Sequence, residues 1–352
     1  MVIRPVDIKS EADILALSEI WRVCFTEDLS YIDSFINSCL PHTISWFLLS
    51  DNKPVSLLSL IPSYAQLPLP DEQSKFPKIL NIRSTPQISQ SHKLSRGVYI
   101  YGVATLPEHR GNSYSRILLN KVLDYSREVG LDYIIVKPAD ESLFDFYTKA
   151  GFETTLYSNK AVSPLFQYCT NTNPAIHHNT EISSGREYAL SFSDKADHPN
   201  IVDNSISVIS KEDHPFFTSL PAEQLFILRE QYNPSSFLWP PEILSYAVIE
   251  ALSRPSAIAA IDNNLDLYII AYPSDEDSSI INILETNANT SAQFCQILTY
   301  LQQLYPKATS VTTNSVNNCS SKQTRCALLK ILTADRDVAA ALSRLYLSLP
   351  ME

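Results

Sequence analysis

Apolar residues first recur along the chain at helical spacing. In residues 11–25, EADILALSEIWRVCF, the side chains of Ile14, Leu17, Ile20, Trp21 and Cys24 fall on one face. A short strand, VIR, precedes this helix, and DLSYIDSFINSCL repeats the pattern with Ile32, Phe35, Ile36 and Leu40 until Pro41 stops it. The period then changes. TISWFLLS and PVSLLSLIPSYAQL are dense in apolar and β-branched residues and flank Asp51-Asn52-Lys53, which predicts a hairpin. Residues 68–95, rich in Pro, Ser and Gln, read as a long exposed loop. In Gly97–Thr105, Val98, Ile100, Gly102 and Ala104 point one way and Tyr99, Tyr101, Val103 and Thr105 the other. Both sets are apolar enough to be covered, the mark of a central strand.

The turn PEHRGNS leads from that strand into a helix whose stripe is Leu118, Val122, Tyr125 and Val129, ended by Gly130. Leu131–Val136 is a continuous buried strand, Asp140 caps a helix closed by Gly151, and Phe152–Leu156 returns as a strand. From about Ser163 to Asn204 the pattern is polar and irregular, so the expected division is a first domain over 1–163, a linker over 164–204 and a second domain over 205–352. The second half reads as helices over 222–231 and 239–252, strands AIAAID, LDLYIIAY and SIINILET, an amphipathic helix SAQFCQILTYLQQLY and a strand TSVTTN. This is the element order of the first half again, without a glycine at the turn where the first half has Arg110-Gly111. The ending, AALSRLYLSLPME, reads as the last strand of the second domain or as a segment docked elsewhere.

Composition narrows the function. At 352 residues two domains are expected, and a net charge of −11 argues against a general nucleic-acid binder while suiting cationic partners such as amines. No run approaches the ~20 apolar residues of a membrane span. The N-terminus lacks the apolar core of a signal peptide, so a cytoplasmic location is expected. Six cysteines without a C-x-x-C pair read as reduced thiols, and His177 and His178 have no ligand-spaced neighbours, so no metal site is expected.

Five of the six glycines lie between Gly97 and Gly151, and the chemistry is expected there. A strand that hands over through a small-residue turn to a helix aims several N–H groups and the helix dipole at one point, which suits phosphate. The amides of Gly111, Asn112, Ser113, Tyr114 and Ser115 are the candidates, flanked by Arg110 and Arg116. Taken alone, an ordinary βα turn explains them equally well.

VATLPEHRGNSYSRILLNKVL followed by LFDFYTKAGFE resembles the GNAT superfamily of N-acetyltransferases. Its pyrophosphate pattern falls on Arg110, Ser113 and Ser115, with serine at both small positions, and its aromatic helix on Phe144, Tyr147, Lys149, Gly151 and Phe152. The repeat makes the chain similar to the tandem-GNAT acetyltransferases of the "enhanced intracellular survival" type. The resemblance implies an α/β fold of two tandem GNAT-like domains, each a mixed, largely antiparallel central sheet flanked by helices, the second degenerate. It implies acetyl-CoA as co-substrate, held by the backbone of Val103, Ala104 and Thr105 and by the Arg110–Ser115 turn. The Ala104 N–H would stabilise the oxyanion, and Tyr147 would protonate the thiolate unless it is only a core aromatic. The position of the family's basic glutamate falls at Tyr99, which leaves the base unassigned and Tyr99 facing the acceptor. Glu27 and Asp28 are candidate substrate contacts or merely solvated acids, and Glu352 or the terminal carboxylate is a candidate proton relay. The implied partner is a small-molecule or peptide amine, with no nucleic acid or membrane, and self-association is left open. The alternative is a catalytically silent acyl-CoA-binding sensor or scaffold, in which Ser113 and Ser115 have damaged the loop.

Overall fold

The switch from helical to alternating periodicity produces an open sheet with helices on both faces. The computed structural model describes residues 1–25, 29–68, 92–164, 189–190, 208–209, 217–232, 236–314 and 323–347. In chain order the first half forms β1 (Val2–Pro5), α1 (Glu11–Phe25), α2 (Leu29–Ser34), β2 (Ile44–Ser50), β3 (Lys53–Pro68), β4 (His92–Thr105), α3 (Tyr114–Glu128), β5 (Tyr133–Val136), α4 (Ser142–Lys149) and β6 (Thr154–Pro164). Strands β1 to β4 pair antiparallel in sequence order, and β5 joins β4 in parallel across the α3 crossover. The β2–β3 turn places Asp51 and Asn52 at φ 50° and 61°, left-handed values that these two residue types tolerate best after glycine. Strand β4 begins at His92, so 92–95 belong to a strand rather than to the expected loop; the rest of that loop, 69–91, lies outside the described residues.

One sheet face packs on α3 and α4 through Leu58, Val98, Ile100, Leu118, Val122 and Phe144. The other carries an aromatic cluster in which Trp21 of α1 lies 4.4 Å from Phe35 and 5.7 Å from Tyr101, ring centre to ring centre.

Two compact units result, but they are not consecutive. The first comprises Met1–Tyr157 together with Asn233–Ala247 and Arg325–Glu352; the second comprises Ser158–Tyr232 and Val248–Thr324. Within the first unit, the strand Gln323–Ile331, from Arg325 onward, lies antiparallel to β5, pairing Leu328 with Val136 and Ile331 with Tyr133. The Lys330 ammonium donates to the Gly151 carbonyl at 2.7 Å. Leu238 exchanges backbone hydrogen bonds with Tyr64 at 2.8 and 3.0 Å, and Phe237 packs on Tyr133 with ring centres 4.9 Å apart. The chain end, Tyr346–Leu347, pairs in parallel with Ser236–Phe237, so this segment completes the first unit and is not the last strand of the second. The strand at 323–331 and the helix Arg336–Leu342 were not anticipated, because CALLKIL fits helical and strand spacing alike.

The second unit repeats the plan. Its sheet runs from Phe217–Ser219 through Ile258–Asp262, Tyr268–Pro273 and Ile280–Thr286 to Ser310–Asn314, with one parallel pair, Ile280–Ile283 beside Ser310–Thr313, bridged by the helix Ser291–Leu304. Among the described residues, no helix is long and apolar enough to cross a membrane.

A chain ending at Ser163 keeps the sequence signature but exposes the β5 edge and the Tyr133 ring. It should fail to show a cooperative urea transition, whereas the full chain shows one. A cooperative transition of native midpoint in the truncated chain would mean that the recruited segments are dispensable.

Candidate active site

Strands β4 and β5 are hydrogen-bonded only from Gly97 and Tyr133 to Ile100 and Val136. Beyond Ile100, β4 continues to Thr105 while β5 stops at Val136, so the two strands part and the β4 edge is left without a strand partner on that side. Gly102 marks the start of this stretch. The β3–β4 register slips so that Leu57 faces Ala104 while Ser59 faces Tyr101, which makes Gly102 and Val103 a bulge. Gly102 has φ +59°, and a Cβ there would lie 2.3 Å from the Trp21 ring, so only glycine fits.

Backbone alternation decides which amides face the gap. Leu106 N–H donates to Val55 on β3 at 3.0 Å, so Ala104, two residues back, also turns its N–H toward β3. Val103 and Thr105 therefore present theirs to the open edge. The Thr105 carbonyl accordingly accepts from Arg110 Nε at 3.1 Å and from Cys24 Sγ at 3.3 Å, away from β3. Burial pushes the Cys24 thiol up, against the hydrogen bond with Arg110, which lowers it. Ala104, the expected oxyanion donor, is thus on the wrong edge, and its carbonyl is held by Ser56 Oγ at 2.6 Å.

The turn after β4 keeps its amides unused. Gly111 sits at φ +82° and Ser113 at φ +60°, the left-handed region, immediately before α3. Ser113 makes no side-chain capping bond, and no described group accepts from the amides of Gly111 to Arg116; Ile117 is the first to bond, to the Ser113 carbonyl at 3.1 Å. The Ser115 hydroxyl is 3.1 Å from Thr105 Oγ1, which is 2.8 Å from Ser56 Oγ, and this hydroxyl chain ties the helix start to the strand end. Arg110 and Arg116 are exposed beside this row of donors. Together they fit a diphosphate, the dipole and N–H groups supplying what an anion needs.

A cavity of about 450 Å³ lies in the gap. Ile100, Val136, Leu143 and Tyr147 reach it from the core beneath α3 and α4, and Trp21, Phe25, Tyr31, Tyr99 and Tyr101 from the aromatic cluster. Tyr147 is 6% exposed, its ring fixed against Phe146 and Phe152 at 5.0 and 6.0 Å, and its hydroxyl bonds to no described group. Burial pushes its phenol up to about 12. Tyr99 is buried against Trp239 at 5.5 Å. The structure thus brings Val103, Tyr99 and Tyr147 to one cavity margin, with Thr105 and then Arg110–Ser115 following at the end of the same strand. Glu27, Asp28 and Glu352 lie outside the described residues. The sequence reading missed Gly102, Trp21, Phe25, Tyr31, Tyr101 and Lys137; of these, only Gly102 carried a signal, an isolated glycine inside a strand pattern.

Residues 14–152 match the family model described as Acetyltransferase (GNAT) family, so this region is a GNAT acetyltransferase domain. The whole chain is similar in fold to a probable N-acyltransferase of Enterococcus faecalis (12% identity, 94% of this chain and 72% of that one, TM-score 0.62). It is likewise similar to Eis1 from Mycobacterium abscessus (11%, 98% and 76%, TM-score 0.58) and to a GCN5-related N-acetyltransferase from Kribbella flavida (13%, 94% and 71%, TM-score 0.58). No curated protein matches it in sequence. The fold is that of two tandem GNAT-like domains.

Holding a serine in the left-handed region costs about 1 kcal/mol relative to glycine. Ser113→Gly should therefore raise the unfolding free energy by about that much in urea titration, while Ser113→Ala should not, since the side chain makes no cap bond. Equal stability in all three chains would mean that the turn relaxes out of this conformation.

Proposed function

We propose that the chain is an acetyl-CoA-dependent N-acetyltransferase that passes the acetyl group directly to a primary amine while both substrates are bound. The observation that carries this reading is the open β4 edge, which has Val103 and Tyr147 at the cavity near its start and the unbonded amides before α3 beyond its end. Acetyl-CoA, when bound, supplies the thioester; the work of this chain is to hold and polarise it. The Gly111–Arg116 amides, with Arg110 and Arg116, hold the diphosphate. The Thr105 N–H holds the amide of the pantetheine arm. The Val103 N–H is fixed on a rigid strand and faces the point where negative charge develops on the acyl oxygen, the arrangement that makes such donors effective. Tyr147 keeps its proton at neutral pH because burial disfavours the phenolate, and it donates that proton to the departing sulfur.

The silent-sensor alternative rested on serine replacing glycine in the loop. That motive weakens, because Ser113 takes the left-handed conformation in spite of its side chain.

Isothermal titration with acetyl-CoA and a thiol-release assay test the two halves of the reading separately. Arg110→Ala should weaken acetyl-CoA binding by about 1–3 kcal/mol, the scale of a charge-assisted hydrogen bond. Tyr147→Phe keeps the ring packing and should leave binding intact while turnover falls about 10²–10⁴-fold. Because the phenol titrates only near 12, turnover should show no descending alkaline limb from this group below about pH 10. Normal turnover in Tyr147→Phe would reduce Tyr147 to a packing residue, and binding without turnover of any amine would favour the sensor.

A further inference from the structure

The strand recruited from the end of the chain reaches the helix that carries the candidate acid, and what it does there deepens the transferase reading above and rests on it. Helix α4 closes on Tyr147 itself. The Tyr147 carbonyl accepts from the Phe152 N–H at 3.1 Å and the Thr148 carbonyl from the Gly151 N–H at 2.9 Å, while Gly151 takes φ +89°, the left-handed closure of a helix. The carbonyl of that same Gly151–Phe152 peptide accepts from the Lys330 ammonium at 2.7 Å. One peptide group is therefore gripped at both ends, its N–H by Tyr147 and its C=O by Lys330. A Cβ at residue 151 would lie 2.5 Å from Lys330 Nζ, so a side chain there would push the ammonium off the carbonyl.

Lys330 is itself held in place. It pairs with Ile134 on β5, and Val136, two residues further along β5, pairs with Leu328 and lines the cavity. The recruited strand thus ties the end of α4 to the cavity wall. At the start of the same helix the Arg325 guanidinium pairs with Glu141 and lies 4.6 Å from the centre of the Phe144 ring. Glu141 is largely exposed, so this ion pair is the weaker of the two holds. Among the described residues nothing bonds the Tyr147 hydroxyl, so the phenol takes its place from its own backbone and from the rings of Phe146 and Phe152. Lys330 holds the peptide that leads into Phe152.

We propose that Lys330 is a positioning residue for Tyr147: by holding the Gly151–Phe152 peptide it sets the phenol where its proton can pass to the thioester sulfur. Arg325 steadies the other end of the helix. A proton donor is sensitive to such placement, since a displacement of ~1 Å can cost about 10²-fold in rate. A contact that merely closed a helix would instead affect stability alone.

The experiment uses the full chain with 3-fluorotyrosine in place of tyrosine, and the fluorine resonance lost in Tyr147→Phe identifies the ring. In Lys330→Met this resonance should shift and broaden, and in Lys330→Arg, which keeps a cation of similar reach, it should return. Thiol release from acetyl-CoA, with spermidine, tyramine and lysine methyl ester as acceptors, gives the second readout. Lys330→Met should lower kcat about tenfold with acetyl-CoA affinity unchanged, and Lys330→Arg should stay within about threefold of the unmodified chain. Arg325→Gln should cost only about twofold, as befits an exposed pair. In the Tyr147→Phe background Lys330→Met should cost less than about twofold, because the group through which it acts is gone. If Lys330→Met does not fold, Lys330→Gln, a shorter neutral donor, replaces it in each comparison. An unmoved Tyr147 resonance, or the same tenfold loss with and without the Tyr147 hydroxyl, would overturn the proposal. So would a loss confined to acetyl-CoA affinity with kcat intact. A displaced resonance in a chain that binds no acetyl-CoA would instead remove the transferase reading and leave Lys330 a structural contact.

Discussion

The end of pairing between β4 and β5 at Ile100 and Val136 is the constraint on which the rest of the first unit depends. A strand edge that loses its partner inside a protein must satisfy its N–H and C=O groups in some other way. Here the Thr105 carbonyl is met by Arg110 and Cys24, while Val103 borders a cavity and the Thr105 amide is left on the open edge. The bulge at Gly102 fixes this phase. The extra residue lets Tyr101 stay in register with Ser59 and Ala104 with Leu57, and the missing side chain admits Trp21, whose ring closes one end of the cavity. One glycine therefore sets both which amides face the gap and which ring lines the cavity beside them.

The recruited C-terminal strand gives β5 a second neighbour. β5 is therefore paired on both edges, with β4 on one side and this strand on the other. The same strand places Lys330 on the carbonyl of Gly151, at the exit of the helix that carries Tyr147. A cation at a helix C-terminus is favourable, and in this position it also anchors the turn behind the candidate acid.

Local pattern was enough for the elements that build the site. The stripe of α3, the β2–β3 turn and the buried run of β5 are each specified by residues close together in sequence. The turn before α3 was legible too, although its two serines argued against a left-handed turn: Ser113 adopts that conformation because the strand end and α3 fix both sides of the turn, and tertiary structure overrides a penalty of about 1 kcal/mol. Edge phase was not legible. Whether Ala104 or Val103 faces the gap depends on the bulge opposite Leu58, a relation between two strands that neither sequence contains alone. The aromatic wall was hidden for a similar reason: Trp21, Tyr31 and Tyr101 each read as core residues of separate elements until the fold brings them together. The exchange of segments between units was equally beyond reach, since residues 233–247 and 325–352 carry no local mark of which sheet they join.

The second unit shows what this architecture becomes when the same groups are satisfied internally. Its parallel pair joins Ile280–Ile283 to Ser310–Thr313, and a helix again follows the first of the two strands. There, however, Thr290 forms a capping box: its side chain accepts from Gln293 N–H, and the Gln293 side chain accepts from the Asn289 and Thr290 amides at 3.1 and 3.3 Å. The amides of Asn289, Thr290 and Gln293 are thus satisfied by side chains, whereas no side chain caps α3. Near the end of the strand, Glu285 is committed to Arg229 at 2.8 Å and to the Tyr268 hydroxyl at 2.6 Å, all three buried. A buried ion pair of this kind adds little net stability, but removing one partner is costly, so it locks the arrangement in place. The two halves thus differ less in fold than in whether the backbone groups at the strand end and helix start have partners, and that difference is why the chemistry is assigned to the first.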